Sequence, residues 1–241
     1  MADEKRCIVV GASSGIGAAL ARRFAAAGYT LGLAARRTDR LVELGEELPT
    51  KSYVARIDVT DPDSARERFD RLADAMGGVD VVVVNAGVAF ENPELAWNDE
   101  RTTVDTNVRG FVAIATAAMA QFEAAGGGHL VGISSVAAHF GSGVSPAYSA
   151  SKAFVSNYLD GLRYRARRLD FPLSVTTIEP GFVDTKLAGG SFWMASPETA
   201  ADQIFHAVRK QRRRAYVTRR WRLVALLIDA LPDIVRRRVF S

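Results

Sequence analysis

Short apolar runs alternate with longer segments of helical periodicity along this chain, and that alternation limits the possible folds more than any other sequence feature. The run Val81–Val84 is apolar on both faces, which is typical of a parallel strand covered by helices on two sides. Strands are predicted at Arg6–Gly11, Thr30–Ala35, Ser52–Ile57, Val79–Asn85, His129–Ser134, Leu173–Glu179 and Ala215–Thr218. Helices are predicted at Gly15–Ala27, Arg37–Leu48, Pro62–Met76, Asp99–Ala125, Ala147–Leu169, Pro197–Lys210 and Arg219–Leu231. The pattern predicts an α/β fold: one Rossmann-type doubly wound parallel sheet of about seven strands, with helices on both faces.

A glycine-rich turn follows the first predicted strand. The sequence Gly11-Ala12-Ser13-Ser14-Gly15-Ile16-Gly17 lies between the apolar run Cys7–Val10 and a predicted helix. Glycines permit a tight turn and a close approach of backbone to ligand, and the following helix N-terminus offers free N–H groups to a phosphate. The sequence therefore predicts a dinucleotide-binding loop.

A second motif joins a phenol and an amine. Tyr148 and Lys152 are four residues apart, so both lie on one face of a helix, and Ser135 precedes Tyr148 by thirteen positions. A neighbouring positive charge favours the ionised form of a phenol, so we expect Lys152 to lower the pKa of Tyr148. Such a phenol can exchange a proton with an alcohol or carbonyl oxygen.

Composition sets further limits on the function. A chain of 241 residues with 48% hydrophobic residues fits one domain, and one cysteine, Cys7, suits a reducing compartment. The three histidines have no metal-ligand spacing, so no metal is expected. We see neither a secretory signal nor an apolar run long enough to span a membrane. A cytoplasmic protein is expected.

Positive charge is concentrated at the C-terminal end. Residues 209–241 contain 11 basic and 2 acidic residues, a net charge of +9, whereas the other 208 residues contain 20 basic and 25 acidic residues, a net charge of −5. Because the body is mildly acidic, no nucleic-acid partner is expected. This basic and apolar segment could pack on its own body, contact another subunit or lie on a membrane surface. We rank the first two alternatives above the third.

These motifs together resemble the short-chain dehydrogenase/reductase family, over about residues 6–210. The resemblance implies catalytic roles for Ser135, Tyr148, Lys152 and Asn107. Tyr148 would donate a proton to a carbonyl oxygen, Ser135 would stabilise charge on that oxygen in preference to Ser134, and Asn107 would hold a water that relays protons from Lys152. The implied nucleotide-binding residues, besides Tyr148 and Lys152, are Gly11, Ser13, Ser14, Gly15, Ile16, Gly17, Arg36, Arg37, Asp58, Val59, Asn85, Ala86, Gly87, Pro180, Gly181, Val183 and Thr185.

The end of the second strand predicts which nucleotide is bound. NAD-preferring sites carry an acid there, but this chain has Ala35-Arg36-Arg37. A guanidinium suits a 2′-phosphate by charge and by its forked donors. NADP(H) is therefore the expected cofactor, with Arg36 ranked before Arg37.

The substrate is less well defined. An apolar and aromatic set of residues is predicted to line its pocket: His139, Phe140, Val144, Phe182, Phe192, Trp193 and Met194. The set favours a hydrophobic ketone, aldehyde or secondary alcohol, although residues 192–194 could equally anchor a lid, and a solvated loop position is the favoured interpretation of His139.

Three functions compete at this stage. The main hypothesis is an NADP(H)-dependent oxidoreductase that interconverts a carbonyl compound and an alcohol. One alternative is an NADP(H) sensor with little turnover, and another is a membrane-surface protein that uses the basic C-terminal segment. The family resemblance also implies a homodimer or homotetramer through the helices at Asp99–Ala125 and Ala147–Leu169.

Overall fold

The fold was obtained as a computed structural model, which describes residues 5–184, 193–232, 234, 235 and 238. The strands are β1 (Arg6–Val10), β2 (Thr30–Ala35), β3 (Ser52–Arg56), β4 (Val81–Val84), β5 (Gly128–Ile133), β6 (Leu173–Pro180) and β7 (Arg214–Val217). The helices are α1 (Gly15–Ala25), α2 (Thr38–Glu47), α3 (Pro62–Met76), α4 (Trp97–Val104), α5 (Phe111–Ala125), α6 (Pro146–Ala166), α7 (Pro197–Arg209) and α8 (Trp221–Ala230). The seven predicted strands are confirmed, with bounds that shift by at most two residues.

All seven strands form one parallel sheet in the order β3-β2-β1-β4-β5-β6-β7. The chain runs outward from β1 to β3, and then returns to pair β4 with the other side of β1. The strand order therefore reverses between β1 and β4. In open parallel sheets, the crevice beyond the strand ends at such a reversal is where ligands bind.

Two apolar layers cover the sheet, one on each face. Alternate residues of β1 point to opposite layers: Cys7 and Val9 belong to one core cluster, and Ile8 and Val10 to the other. Buried apolar residues cover both faces of the sheet, which explains why the strands are apolar without alternation. The single-domain, doubly wound fold predicted from the sequence is confirmed.

Helix starts follow the local sequence. Asp61 accepts a hydrogen bond from the Ser64 amide at the start of α3, and Ser196 accepts one from the Thr199 amide at the start of α7. Each cap precedes a proline in the first turn, where a missing N–H costs nothing. Caps and prolines together fix where both helices begin.

The predicted helix Asp99–Ala125 is interrupted. Between α4 and α5 lies a π-helical turn, Asp105–Gly110. Packing requires a glycine at position 110, because a Cβ there would lie 2.6 Å from the Val59 carbonyl oxygen. The π turn places Asn107 at the crevice side of β4, and π turns of this kind are frequent at functional sites.

Candidate active site

The glycine loop lies at the carboxyl end of β1. Gly11 has a φ of 92°, in the left-handed region, and a Cβ there would lie 2.6 Å from the Ala86 amide nitrogen. Gly17 faces the Gly11 carbonyl, where a Cβ would also collide. The Asn85 side chain donates to that carbonyl at 3.0 Å. The loop is therefore fixed against the segment after β4, and α1 begins directly behind it at Gly15.

A guanidinium covers this loop. Arg37 Nη2 donates to Ser13 Oγ at 2.8 Å and to Ser14 Oγ at 2.9 Å. Arg36 is exposed at the end of β2. The structure thus brings Arg37 into contact with the predicted loop serines. The ranking of Arg36 before Arg37 stays a prediction, and this geometry favours the reverse order.

The segments after β3 and β4 complete the nucleotide side. Asp58 accepts from the Thr60 amide at 3.1 Å and from its hydroxyl at 2.8 Å, and Val59 is buried. Gly87 leaves room for its neighbours, because a Cβ there would lie 3.3 Å from Asn107 Oδ1 and 3.4 Å from Lys152 Nζ. Gly87 therefore lies beside Asn107 and Lys152, while the nucleotide contacts expected of Asp58 and Val59 stay predictions.

Asn107 is buried, and both polar atoms of its side chain are hydrogen-bonded. Its amide donates to the Val88 carbonyl at 2.8 Å and to Ser151 Oγ at 3.0 Å, and its oxygen accepts from the Val88 amide at 2.8 Å. These bonds tie the π turn to the strand β4 segment and to α6. The side chain therefore acts as a structural brace between three elements.

Ser135 and Tyr148 come together across the crevice. Ser135 follows β5 in extended conformation, and its hydroxyl lies near enough to the Tyr148 phenol, at the start of α6, to favour the phenolate. Ser134 points the other way, donating to the Lys152 carbonyl at 2.8 Å. The geometry therefore favours Ser135 over Ser134 as the partner of Tyr148, in agreement with the thirteen-residue spacing.

Lys152 is one turn further along α6 and is 5% exposed. Its amine donates to the Ile133 carbonyl at 3.0 Å and lies 5.7 Å from the centroid of the Tyr148 ring. Burial disfavours the charged form of an amine and lowers the pKa of Lys152 to about 8. Lys152 can therefore exchange a proton at near-neutral pH.

The expected lowering of the Tyr148 pKa is wrong. Burial raises the pKa of this phenol, and the effect of Ser135 offsets only part of that rise. The physical reason is that burial disfavours the phenolate, while the Lys152 amine is directed to a backbone carbonyl. The neutral form of Tyr148 is therefore favoured.

A buried carboxylate that the sequence analysis missed lies beneath these residues. Glu179, at the end of β6, is fully buried and accepts a hydrogen bond from Ser156 Oγ at 2.9 Å. Ser156 also bonds Ser134 at 2.8 Å, and Arg214 Nη1 lies 3.3 Å from the carboxylate. Glu179 thereby joins β5, α6 and β7 under the crevice. Its position directly before Pro180-Gly181 is the only sequence signal that could have indicated this role.

His139 is not a solvated loop residue, so that interpretation is wrong. It lies in a 3₁₀ turn, Val136–His139, with a 10% exposed side chain. Its Nε2 is 3.0 Å from Glu179 Oε2, and its Nδ1 is 3.0 Å from Asp229 Oδ1 on α8. Because carboxylates only accept, both ring nitrogens must carry protons. The two carboxylates raise the pKa of His139 against the effect of its burial.

The residues predicted to contact substrate fall into two groups. His139 and Phe140 line a shallow depression of about 400 Å³ against the first turns of α6. Val144, Phe182, Trp193 and Met194 are all partly exposed, and the rings of Phe182 and Trp193 pack edge-on against Trp221 at 5.6 and 6.2 Å. Phe192 and Thr185 lie outside the described residues.

Helix α8 closes one end of the crevice. Trp221 is buried, and a Cβ on Gly181 would collide with its indole ring. Gly181 donates to the Val217 carbonyl at 2.7 Å, while buried Val183 pairs with Ala195 in an isolated bridge. The open question of the C-terminal segment is thus answered in part: one face of α8 packs on the body through Trp221, Ala225 and Ile228.

Two further properties concern the described residues only. Residues 5–184 and 193–232 contain no cluster of histidine, cysteine and acidic side chains that could hold a metal ion. None of the described helices is long and apolar enough to cross a membrane.

Comparisons with known proteins agree on one family. The family model described as short chain dehydrogenase matches residues 5–193. An uncharacterized oxidoreductase of Mycobacterium tuberculosis (strain H37Rv) is 37% identical over 97% of this chain and 96% of its own length. A closed form of serine dehydrogenase complexed with NADP+ has a TM-score of 0.74, with 27% identity over 84% of this chain and 88% of its own. An alcohol dehydrogenase from the archaeon Thermococcus sibiricus, complexed with 5-hydroxy-NADP, has a TM-score of 0.78, with 22% identity over 89% and 96% of the two chains. The expected homo-oligomer and cytoplasmic location stay predictions.

The raised pKa of His139 predicts a pH-dependent contribution to stability. The protonated ring is stabilised in the fold, so the contribution is complete below the unfolded pKa of about 6.5 and is lost as pH rises through the higher folded value. His139→Asn should lower the free energy of unfolding by roughly 1–3 kcal/mol at pH 6, and by less at pH 9. Urea unfolding at both pH values measures this difference, with exposed His206→Asn on α7 as the matched control. An equal loss at both pH values would contradict a charged His139.

Proposed function

The chain belongs to the short-chain dehydrogenase/reductase family, and on that premise we propose that it is an NADP(H)-dependent oxidoreductase that interconverts a carbonyl compound and an alcohol. The observation that carries the proposal is the convergence of Ser135, Tyr148 and Lys152 at the carboxyl edge of the sheet, beside the glycine loop. Membership of the family supports an oxidoreductase that uses a nicotinamide nucleotide.

The residues of the glycine loop and the start of α1 are suited to bind a dinucleotide. Gly11 and Gly17 keep the loop free of side chains, and α1 starts behind it with N–H groups that suit a pyrophosphate. Arg37, held over Ser13 and Ser14, supplies a positive charge where a ribose 2′-phosphate would need one. The bound nucleotide would supply the hydride. NADP+ is bound in the similar serine dehydrogenase structure described above, which supports the choice of NADP(H).

The chain's own residues would handle the proton. In the reducing direction, the neutral Tyr148 phenol gives its proton to the carbonyl oxygen as that oxygen gains negative charge. Ser135 donates a hydrogen bond to the same oxygen and stabilises its charge. Lys152, with a pKa of about 8, restores the proton to Tyr148. In the oxidising direction Tyr148 would first pass its proton to Lys152, and the resulting phenolate would then accept the proton of the alcohol.

Asn107 would contribute through its backbone. Its side chain is already bonded to Val88 and Ser151, so a water that relays protons to Lys152 would bind its main-chain carbonyl. The same side-chain bonds hold the π turn beside Lys152 and keep that carbonyl in place.

The substrate is proposed to be a small hydrophobic ketone, aldehyde or secondary alcohol. Val144, Phe182, Trp193 and Met194 present apolar surface at the side of the crevice closed by α8. Phe182 directly follows Pro180-Gly181, so this apolar surface adjoins the site of proton transfer.

Replacement of Tyr148 tests the chemistry. Tyr148→Phe removes the proton donor but keeps the ring, so turnover of carbonyl compounds with NADPH should fall roughly 10²–10⁴-fold, while NADPH binding measured by fluorescence stays unchanged. Tyr164→Phe, on the exposed side of the same helix, is the control. Wild-type protein that binds NADPH but turns over no compound in a broad carbonyl panel would favour the sensor alternative.

Replacement of the two arginines tests the cofactor assignment. Arg37→Ala should raise KM for NADPH roughly tenfold or more, because a charge-assisted contact to the 2′-phosphate is lost, and should leave KM for NADH nearly unchanged. Arg36→Ala reports on the rival arginine, and exposed Arg40→Ala is the control. Equal or higher kcat/KM with NADH in the wild-type protein would overturn the NADP(H) assignment.

A further inference from the structure

Helix α8 has two apolar faces, of which the body covers only one. The inner face, Trp221, Ala225 and Ile228, is buried against a cluster that includes Val136 and Phe140. The outer face presents Leu223, Leu226 and Leu227, which are 66%, 54% and 67% exposed. A helix that is apolar on both sides requires a second apolar environment for its outer face.

The exposed leucines form a continuous row. Residues 223, 226 and 227 are spaced by three and four positions, so they share one side of the helix. Exposed Ala230 extends the row by one turn, and Ile234, 72% exposed, continues the apolar character beyond Pro232. Single exposed apolar residues are ordinary on protein surfaces, whereas a contiguous row of them marks an interaction site.

Arginines border this row. Arg219, Arg220 and Arg222 are exposed at the start of α8. The one acid within α8, Asp229, is directed to His139 on the body side and is neutralised there. The surface presented by the outer face is therefore apolar in its centre and positive at its border.

We propose that the outer face of α8 and its arginines bind an anionic lipid bilayer surface. Leucines would enter the boundary between headgroups and acyl chains, and the arginines would contact the negatively charged headgroups. The net charge of +9 over residues 209–241, against −5 for the remainder, would orient the protein with this face toward the membrane.

A second copy of this chain fits the surface less well. A two-fold interface brings the same patch of each subunit together, so the exposed arginines at the start of α8 in both copies would lie within one interface. Accumulating like charge within one interface opposes association. An anionic bilayer satisfies the leucine row and the arginines at the same time.

The orientation has a consequence for the crevice. Trp221 packs on Gly181 and on Phe182, and Asp229 is bonded to His139. The helix that would touch the bilayer is therefore the helix that closes the apolar side of the crevice, which places that side next to the membrane surface.

Vesicle flotation of the full-length protein tests the proposal. The protein should float with vesicles of phosphatidylglycerol and phosphatidylcholine at low salt, should dissociate as salt rises, and should not float with phosphatidylcholine alone. The triple variant Leu223→Gln, Leu226→Gln, Leu227→Gln should reduce the bound fraction at least about tenfold, and Arg219→Gln with Arg222→Gln should reduce it by about tenfold.

Matched controls make the result decisive. Val42→Gln with Val104→Gln removes comparably exposed apolar residues from α2 and α4 and should leave flotation unchanged, and circular dichroism confirms that each variant is folded. Wild-type protein that stays unbound at low salt would overturn the proposal, as would a triple variant that floats like the wild type. Light scattering in which the triple variant dissociates an oligomer that does not float would assign the face to a second copy instead. None of these readouts depends on turnover, so they stand apart from the test of the proposed function.

Discussion

The proposed chemistry depends on the buried amine of Lys152. Lys152 is buried, its amine bonds the Ile133 carbonyl at the end of β5, and Gly87 leaves the space beside it open. Burial disfavours the ammonium and moves its pKa toward neutral. The same exclusion of water raises the pKa of Tyr148 and keeps that phenol protonated. The low hydration of the site therefore shifts the pKa of both Lys152 and Tyr148, the two partners of the proposed proton transfer.

A second buried group keeps these residues in position. Glu179 bonds Ser156 one turn after Lys152, Ser156 bonds Ser134, and Ser134 bonds the Lys152 carbonyl. The opposite side of Glu179 faces His139, which continues to Asp229 on α8. Burying a carboxylate costs free energy unless its oxygens accept hydrogen bonds, and here those bonds connect α6 with the crevice wall. Lys152 is thus held through Ser134 and Ser156 by a carboxylate, Glu179, that does not touch it.

Local patterns predicted most of the fold, because strands buried on both faces must be apolar and because Pro62 and Pro197 mark helix starts. Tyr148 with Lys152 and the glycine loop could be singled out because each motif lies within one short segment, whereas the role of Ser135 was implied by the resemblance to a family. The contacts of Glu179, His139 and Trp221 could not be singled out, because each joins residues at least 20 positions apart that only the sheet order brings together. The direction of the Tyr148 pKa was predicted wrongly because spacing reveals a neighbouring charge but not the burial of both groups.

The pKa of Lys152 in the nucleotide-free protein tests this account most directly. The chain has five lysines, so carbon-13 NMR of the lysine side chains gives few resonances, and Lys152→Met assigns the one of interest. Titration should place the pKa of Lys152 near 8. A Lys152 pKa near ~10.4, the value of an unperturbed lysine, would show a hydrated amine and would contradict the buried site on which the proposed chemistry rests.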